Sequence, residues 1–248
     1  MIPQINEKIN FLRTIGFKFD YICEIKYNVC VSSSDSWYFK YEGNVDDEIN
    51  ASSILRNDNS LKYLSINNFV YKNEYMIDEV YGKSIMYNPV SFRQNDINIK
   101  NTVYEILLST VATKKLYLIG GEMVFYTMLL TPSIDTCIMY TDFQSIYDDA
   151  KHNFPDNKQI SLINYDKDTL QKTTPDYFMI ANTSKHGLGN NLCNEILKIE
   201  LTDIVIISCN VRSFMRDYKK LSHKYDIIKI YDINTNYNVC MYFLRKKN

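Results

Sequence analysis

Short runs of apolar residues alternate with helical or polar stretches over the larger, C-terminal part of the chain. The first stretch, residues 97–111, places Val103, Ile106, Leu107 and Val111 at helical spacing. The apolar runs that follow lie at residues 116–119, 137–140, 160–163, 177–181 and 204–209. Strands of this length, separated by segments long enough for crossover helices, predict an α/β fold with a mostly parallel sheet and helices on both faces.

Two further apolar runs close the chain. Residues 227–232 and 239–245 are joined by the short polar linker 233–238, and such a linker favours a hairpin. The pair is therefore expected to add an antiparallel edge to the parallel sheet.

The N-terminal part has a different pattern. Residues 5–12 show a short helical pattern, while residues 19–25 and 37–41 alternate apolar and polar side chains. This predicts a small, mostly antiparallel β region. We expect two domains, residues 1–92 and residues 93–248.

Composition narrows the functional classes. Hydrophobic residues make up 46% of the 248 residues, which is enough for a real core. Lys and Arg (28 residues) nearly balance Asp and Glu (29 residues), so any contact with a nucleic acid would have to come from a local basic patch.

The spacing of the cysteines and histidines does not predict a metal site. The six cysteines form no CxxC pair and the three histidines show no metal-ligand spacing, so we assign no metal. The apolar runs fall short of the roughly 18 residues of a membrane helix, and the N-terminus lacks the apolar core of a signal peptide. We expect a cytoplasmic protein with reduced thiols and no membrane partner.

Candidate ligand contacts follow the apolar runs, because a doubly wound sheet binds ligands at the carboxyl ends of its strands. Gly120 and Gly121 would let a ligand approach the backbone, or they form a plain strand-to-helix turn. Asp142 is either a partner for ribose hydroxyls or a helix N-cap. The polar loop 181–189 follows the fourth run, and Cys209 ends the fifth, either as a ligand-facing thiol or as an inert one.

Two segments resemble a known family, in the same order along the chain. Residues 85–94, IMYNPVSFRQ, resemble the entry to the catalytic domain of the RNA 5-methyluridine methyltransferases, in which Gln94 matches a glutamine that contacts S-adenosylmethionine. Residues 204–217, IVIISCNVRSFMRD, resemble the family's most distinctive signature, which holds its nucleophilic cysteine. The resemblance covers roughly residues 75–248.

This resemblance implies a Rossmann-like class I methyltransferase sheet, S-adenosylmethionine as the cofactor, and RNA such as tRNA or a stem-loop as the partner. Cys209 takes the position of the catalytic nucleophile. The implied cofactor contacts are Gln94, Tyr117, Gly120, Asp142 and Asn182. Basic residues after the cysteine could contact phosphates or form a solvated helix face, namely Arg212, Arg216, Lys219, Lys220 and Lys224.

The chemistry of such a family explains why it needs a cysteine. Carbon C5 of uracil is a poor nucleophile, so a thiolate first adds to C6 and creates an enolate with negative charge at C5. A base must then remove the C5 proton so that the cysteine can leave, and a carboxylate in the final hairpin serves this purpose in the family. The target base must also leave its stack to reach the pocket.

Several positions depart from the family pattern. Asn182 stands where the family has aspartate, Ile119 stands where the cofactor loop has its first glycine, and Val239 stands where the hairpin has glutamate. Two hypotheses therefore stay open. The first is a working uridine C5-methyltransferase acting on RNA, and the second is a catalytically degenerate methyltransferase fold that binds RNA or a protein.

Overall fold

A computed structural model describes residues 2–19, 26–31, 36–91, 97–111, 113–130, 134–141, 143–164, 170, 174–233 and 239–247. The chain divides into two compact units, Met1–Val90 and Ser91–Asn248.

The first unit is built around a four-stranded sheet. Its helices and strands are α1 (Ile2–Thr14), β1 (Lys26–Val31), β2 (Trp37–Glu42), α2 (Glu48–Arg56), β3 (Leu61–Ile66), β4 (Phe69–Asn73), β5 (Met76–Val80) and β6 (Lys83–Tyr87). The sheet has the order β1-β2-β3-β4, and β5 and β6 form a separate two-stranded sheet. The β2–β3 pair is parallel, and the other pairs of this unit are antiparallel. The predicted helix at 5–12 is confirmed.

Period-two alternation forms the core of this unit. Trp37, Phe39 and Tyr41 of β2 are fully buried. The rings of Phe39 and Tyr41 contact Phe17 and each other, and Trp37 contacts Phe39. The indole nitrogen of Trp37 donates hydrogen bonds to the side chains of Asp58 and Ser60. Of the strand predicted at residues 19–25, all but Phe19 lies outside the described residues.

The second unit is a three-layered α/β fold. Its helices and strands are α3 (Ile97–Thr110), β7 (Lys115–Gly120), α4 (Met123–Leu130), β8 (Thr136–Thr141), α5 (Gln144–Asn153), β9 (Ile160–Asn164), β10 (Phe178–Asn182), α6 (Gly189–Lys198), β11 (Asp203–Ser208), α7 (Val211–Leu221), β12 (Tyr225–Ile233) and β13 (Val239–Lys246). The seven strands have the order β12-β13-β11-β10-β7-β8-β9. Strands β7 to β11 pair in parallel, and β13 is antiparallel to both β11 and β12. The predicted α/β fold and its antiparallel hairpin are confirmed.

The strand order locates the functional edge of this sheet. From β7 the chain moves outward through β8 and β9, and then returns to place β10 on the other side of β7. The order therefore reverses between β7 and β10. In open α/β sheets such a switch point leaves a crevice at the carboxyl ends of the strands, where ligands bind.

The final hairpin also contributes to this edge. Strand β13 lies beside β11 with Ser208 paired to Cys240, so Val239 at the start of β13 reaches the carboxyl end of β11. On one face, the ring of Phe214 in α7 stacks on Tyr242 with ring centroids 3.4 Å apart. This packing fixes α7 against the hairpin.

Candidate active site

A small cavity of about 40 Å³ opens at the carboxyl ends of β7, β10 and β11 and the start of β13. Its lining includes the side chains of Lys100, Glu122, Tyr126, Asn182, Cys209 and Val239. Because these residues come from α3, the turn after β7, α4 and three strand ends, the cavity exists only in the folded sheet.

Gly120 lets β7 and β10 approach each other at this edge. Its φ is +90°, and a Cβ atom at this position would lie 2.2 Å from the carbonyl oxygen of Asn182. The amide of Gly121 donates a hydrogen bond of 3.3 Å to the same oxygen. Only glycine combines this backbone conformation with so close a contact.

Asn182, Glu122 and Tyr126 form a hydrogen-bonded group in the cavity. The amide nitrogen of Asn182 donates to Glu122 Oε2 and to the Tyr126 hydroxyl, each at 3.3 Å. The Tyr126 hydroxyl in turn donates to Glu122 Oε2 at 3.5 Å. Burial, and then the charge of Glu122, raises the pKa of Tyr126 well above its usual value. Tyr126 is therefore a hydrogen-bond donor at neutral pH, and Glu122 accepts from both neighbours.

Glu122 adopts an unusual backbone conformation. Its φ is +60°, in the left-handed region, which costs a residue with a Cβ atom roughly 1–2 kcal/mol. Residues held in such conformations concentrate at functional sites, where the surrounding structure maintains them. The turn after β7 therefore holds the Glu122 carboxylate at the cavity although the backbone of Glu122 is strained.

Cys209 is the exposed thiol among the described free cysteines. Cys137, Cys193 and Cys240 are buried, whereas Cys209 is exposed and lines the cavity. Burial raises the pKa of both Cys137 and Cys193 to about 12, which makes these two thiols unreactive at neutral pH.

The residue after the cysteine begins α7 and holds the neighbouring loop. The side-chain oxygen of Asn210 caps α7 by accepting hydrogen bonds from the amides of Arg212 and Ser213. Its side-chain nitrogen donates to the carbonyl of Lys185 at 3.0 Å, and the Ser213 hydroxyl donates to the same carbonyl at 2.8 Å. The cysteine segment and the loop after β10 are thus tied together.

Asp217 makes a second tie between α7 and this loop. Its side chain is almost fully buried, and Oδ2 accepts the amide hydrogen of Leu188 at 2.6 Å. Arg216 donates to the Asp217 carboxylate and to the carbonyl of His186. A Cβ atom at Gly187 would lie 2.2 Å from Asp217 Oδ2. The loop conformation therefore depends on both the carboxylate and the glycine.

Replacing Asp217 with Asn is expected to destabilise the second unit by about 2 kcal/mol, because hydrogen bonds to a buried charged group are lost. The measurement is the free energy of unfolding from urea titration. Asp226→Asn is the matched control, since the Asp226 side chain is 63% exposed and pairs only at the surface with Lys247. Equal effects of the two substitutions would show that Asp217 does not hold the loop.

The basic residues after the cysteine divide into two groups. Arg216, Lys220 and Lys224 make intramolecular contacts, with the His186 carbonyl, the Asn190 side chain and the Leu197 carbonyl respectively. Arg212 and Lys219 lie exposed on α7.

The structure brings together three of the predicted site residues. Gly120, Asn182 and Cys209 lie at one edge of the sheet. Tyr117 lies in β7 with its side chain fully buried in the core. Gln94 and Asp142 lie outside the described residues. The roles assigned to these residues stay predictions.

Sequence patterns missed Glu122, Tyr126 and Lys100. Tyr126 belongs to α4, whose sequence MVFYTMLL is apolar nearly throughout and gives no sign of a polar function. Lys100 is a buried lysine on α3, with its ammonium 5.2 Å from the centre of the Phe125 ring. One feature of the sequence could have indicated Glu122, namely its position directly after the Gly120–Gly121 pair.

Two further structural observations concern metals and membranes. The described residues contain no group of three or more His, Cys, Asp or Glu side chains that could hold a metal ion. In the same part of the chain, no helix is long and apolar enough to span a membrane.

Solved structures share this architecture. The tRNA (uracil-54, C5)-methyltransferase of Pyrococcus abyssi, in complex with S-adenosyl-L-homocysteine, superimposes with a TM-score of 0.67 at 16% identity, over 98% of this chain and 66% of that chain. The N-methyltransferase NodS of Bradyrhizobium japonicum matches with a TM-score of 0.51 at 12% identity, over 62% of this chain and all of that chain. The fold is that of the Rossmann-like methyltransferases.

The sequence comparison finds a relative among the RNA methyltransferases. An uncharacterized RNA methyltransferase of Mycoplasma mobile is 25% identical over 167 residues, which are 64% of this chain and 46% of the relative. No protein-family model matches the chain. With the motifs around Cys209, these similarities confirm the predicted resemblance to the RNA uracil methyltransferase family. The chain spans about half the length of the relative that it matches.

Proposed function

We propose that the protein transfers a methyl group from S-adenosylmethionine to C5 of a uridine in RNA, with Cys209 as the nucleophile. The observation that carries the proposal is the cavity at the carboxyl ends of β7, β10 and β11, which Cys209 lines together with Asn182. The similarity to an RNA methyltransferase and to a tRNA uracil C5-methyltransferase supports RNA as the substrate class.

The sheet fits S-adenosylmethionine at its switch point. Gly120 brings backbone close to the crevice between β7 and β10, where this fold binds nucleotide-like ligands. The solved structures of the Pyrococcus abyssi enzyme and of NodS contain S-adenosyl-L-homocysteine. Gly120 and Asn182, with Gln94 and Asp142, would hold the cofactor, which supplies an electrophilic methyl group when it is bound, whereas the buried Tyr117 side chain does not line the cavity.

Cys209 would carry the covalent chemistry. Its thiolate adds to C6 of the extruded uracil and leaves negative charge on C5 and the O4 enolate, so that C5 becomes nucleophilic. The hydrogen bonds from Asn210 and Ser213 to the Lys185 carbonyl join the segment that carries Cys209 to the loop after β10. Reaction requires the side chains that line the cavity to rotate when ligands bind, because its present volume is only about 40 Å³.

Transfer of labelled methyl from S-adenosylmethionine to a uridine-bearing stem-loop RNA tests the proposal. We expect label in RNA that yields 5-methyluridine on digestion. RNA in which uridine is replaced by 5-methyluridine is the matched control, since its C5 position already carries the methyl group. Equal labelling of both RNAs, or none of the first at high protein concentration, would refute the proposal.

A second candidate function is a binding module without catalysis. It is favoured by Val239, which lies in the cavity where a proton acceptor would be needed, and by a cavity far below the roughly 300–1,000 Å³ typical of ligand pockets. Calorimetry with S-adenosylmethionine separates the two candidates. The methyltransferase requires saturable binding, whereas RNA binding without any cofactor binding would favour the module.

A further inference from the structure

The proposed reaction needs a proton acceptor that the final hairpin does not supply at its usual position. After methylation, C5 of the uracil carries both the methyl group and its original hydrogen, and Cys209 remains bonded to C6. Release requires that a base remove the C5 proton. Val239, which lines the cavity close to Cys209, has no group that can accept it.

Among the described residues that line the cavity, Glu122 provides the carboxylate. Its position follows from the sheet, because Gly120 pairs with Asn182 of β10, and Asn182 pairs with Ile207 of β11. Strands β7 and β11 are separated by one strand, so their backbones lie roughly 10 Å apart at a strand spacing of about 4.8 Å. Glu122 and Cys209 thus approach the cavity from opposite sides of Asn182.

The other polar side chains that line the cavity, among the described residues, carry no carboxylate. The Lys100 side-chain nitrogen lies 5.2 Å from the centre of the Phe125 ring. The buried Tyr126 hydroxyl keeps its proton at neutral pH, and the Thr183 hydroxyl donates to the carbonyl of Ile207. Asn182 donates its amide hydrogens to Glu122 and Tyr126. Hydrogen bonds to Glu122 Oε2 orient its carboxylate, and the left-handed backbone at Glu122 keeps the side chain at the cavity despite the strain.

We infer that Glu122 accepts the C5 proton and so replaces the carboxylate that is absent at position 239. The inference rests on the proposed function. The C5–H bond breaks and its proton moves to the Glu122 carboxylate. The electron pair of that bond forms the C5–C6 double bond, and the C6–S bond breaks with its electrons returning to sulfur as the Cys209 thiolate.

The test is single-turnover and steady-state methylation of uridine RNA by Glu122→Gln, which keeps the shape of the side chain and an oxygen that accepts from Asn182. We expect one methyl group per protein to be transferred, after which the methylated RNA stays covalently attached and accumulates as an adduct on denaturing gels. Steady-state turnover should fall by at least about 100-fold, the lower end of what a general base contributes. Tritium at C5 should not be released to water.

Two further variants complete the test. Glu105→Gln is the matched control, because Glu105 is exposed on α3, and it should turn over like the unmodified protein without an adduct. Glu122→Asp keeps a carboxylate with a shorter reach and should retain part of the tritium release that Glu122→Gln loses. If the Glu122 side chain served only to pack the cavity, Glu122→Asp would release no more tritium than Glu122→Gln.

The possible results separate the inference from the proposed function. Normal turnover by Glu122→Gln would overturn the inference alone. Loss of S-adenosylmethionine binding without an adduct would also overturn it, by making Glu122 a cofactor contact. If the unmodified protein transfers no methyl group but binds the cofactor and RNA, the proposed function fails and the inference fails with it.

Discussion

Replacement of Cys209 with Ala is expected to lower methyl transfer to RNA at least about a thousandfold, because loss of a covalent nucleophile removes the path that makes C5 reactive. Cys209 is exposed at the cavity, so its removal should not disturb packing. The measurement is incorporation of labelled methyl into uridine RNA, together with the affinity for S-adenosylmethionine. That affinity should stay unchanged.

Cys193→Ala is the matched control for this prediction. Cys193 is fully buried in α6, so its loss should cost about 1 kcal/mol of stability and leave methyl transfer intact. If Cys209→Ala kept the activity of the unmodified protein, the methyl group would have to reach RNA by a route that does not involve this thiol.

Replacement of Gly120 with Ala is expected to have the largest effect on stability, a loss of about 3–5 kcal/mol. A left-handed backbone accounts for roughly 1–2 kcal/mol of this loss. The remainder comes from the new Cβ atom, 2.2 Å from the carbonyl oxygen of Asn182, which forces β7 and β10 apart where the ligand site lies. Urea denaturation measures the free energy of unfolding.

Gly189→Ala separates the clash from the backbone strain. Gly189 has a similar φ of +77°, but among the described residues no atom lies within 4 Å of a Cβ atom placed there. Its replacement should cost only roughly 1–2 kcal/mol, the cost of the left-handed backbone alone. If the two substitutions lowered the free energy of unfolding equally, β7 and β10 would be able to move apart at no cost, and the close contact of Gly120 with Asn182 would not limit stability.

The periodicity of the sequence was sufficient to predict the second unit. Strands buried on both faces give continuous apolar runs, and the runs at 116–119 and 204–209 became the parallel strands β7 and β11. In the first unit the helix α2 was not predicted. Only Ala51, Ser52 and Leu55 of its nine residues are buried, so its apolar stripe is too narrow to stand out.

The candidate site was predictable only where strand ends define it. Gly120, Asn182 and Cys209 follow apolar runs, and the fold brings the ends of parallel strands together. Glu122 could not be found in this way. Its side chain enters the cavity because the turn holds it at φ +60°, and its partner Asn182 lies 60 residues away in sequence. Neither property is visible in a hydrophobic pattern.

Trapping with 5-fluorouridine RNA tests the central claim most directly. Fluorine at C5 cannot leave as a cation, so the methylated base stays bonded to the nucleophile whichever residue acts as the base. We predict an adduct that contains one methyl group, forms only with S-adenosylmethionine present, and maps to Cys209 by peptide mass spectrometry. A methylated uridine RNA product without any such adduct, or an adduct on another residue, would contradict the assignment of Cys209 as the nucleophile.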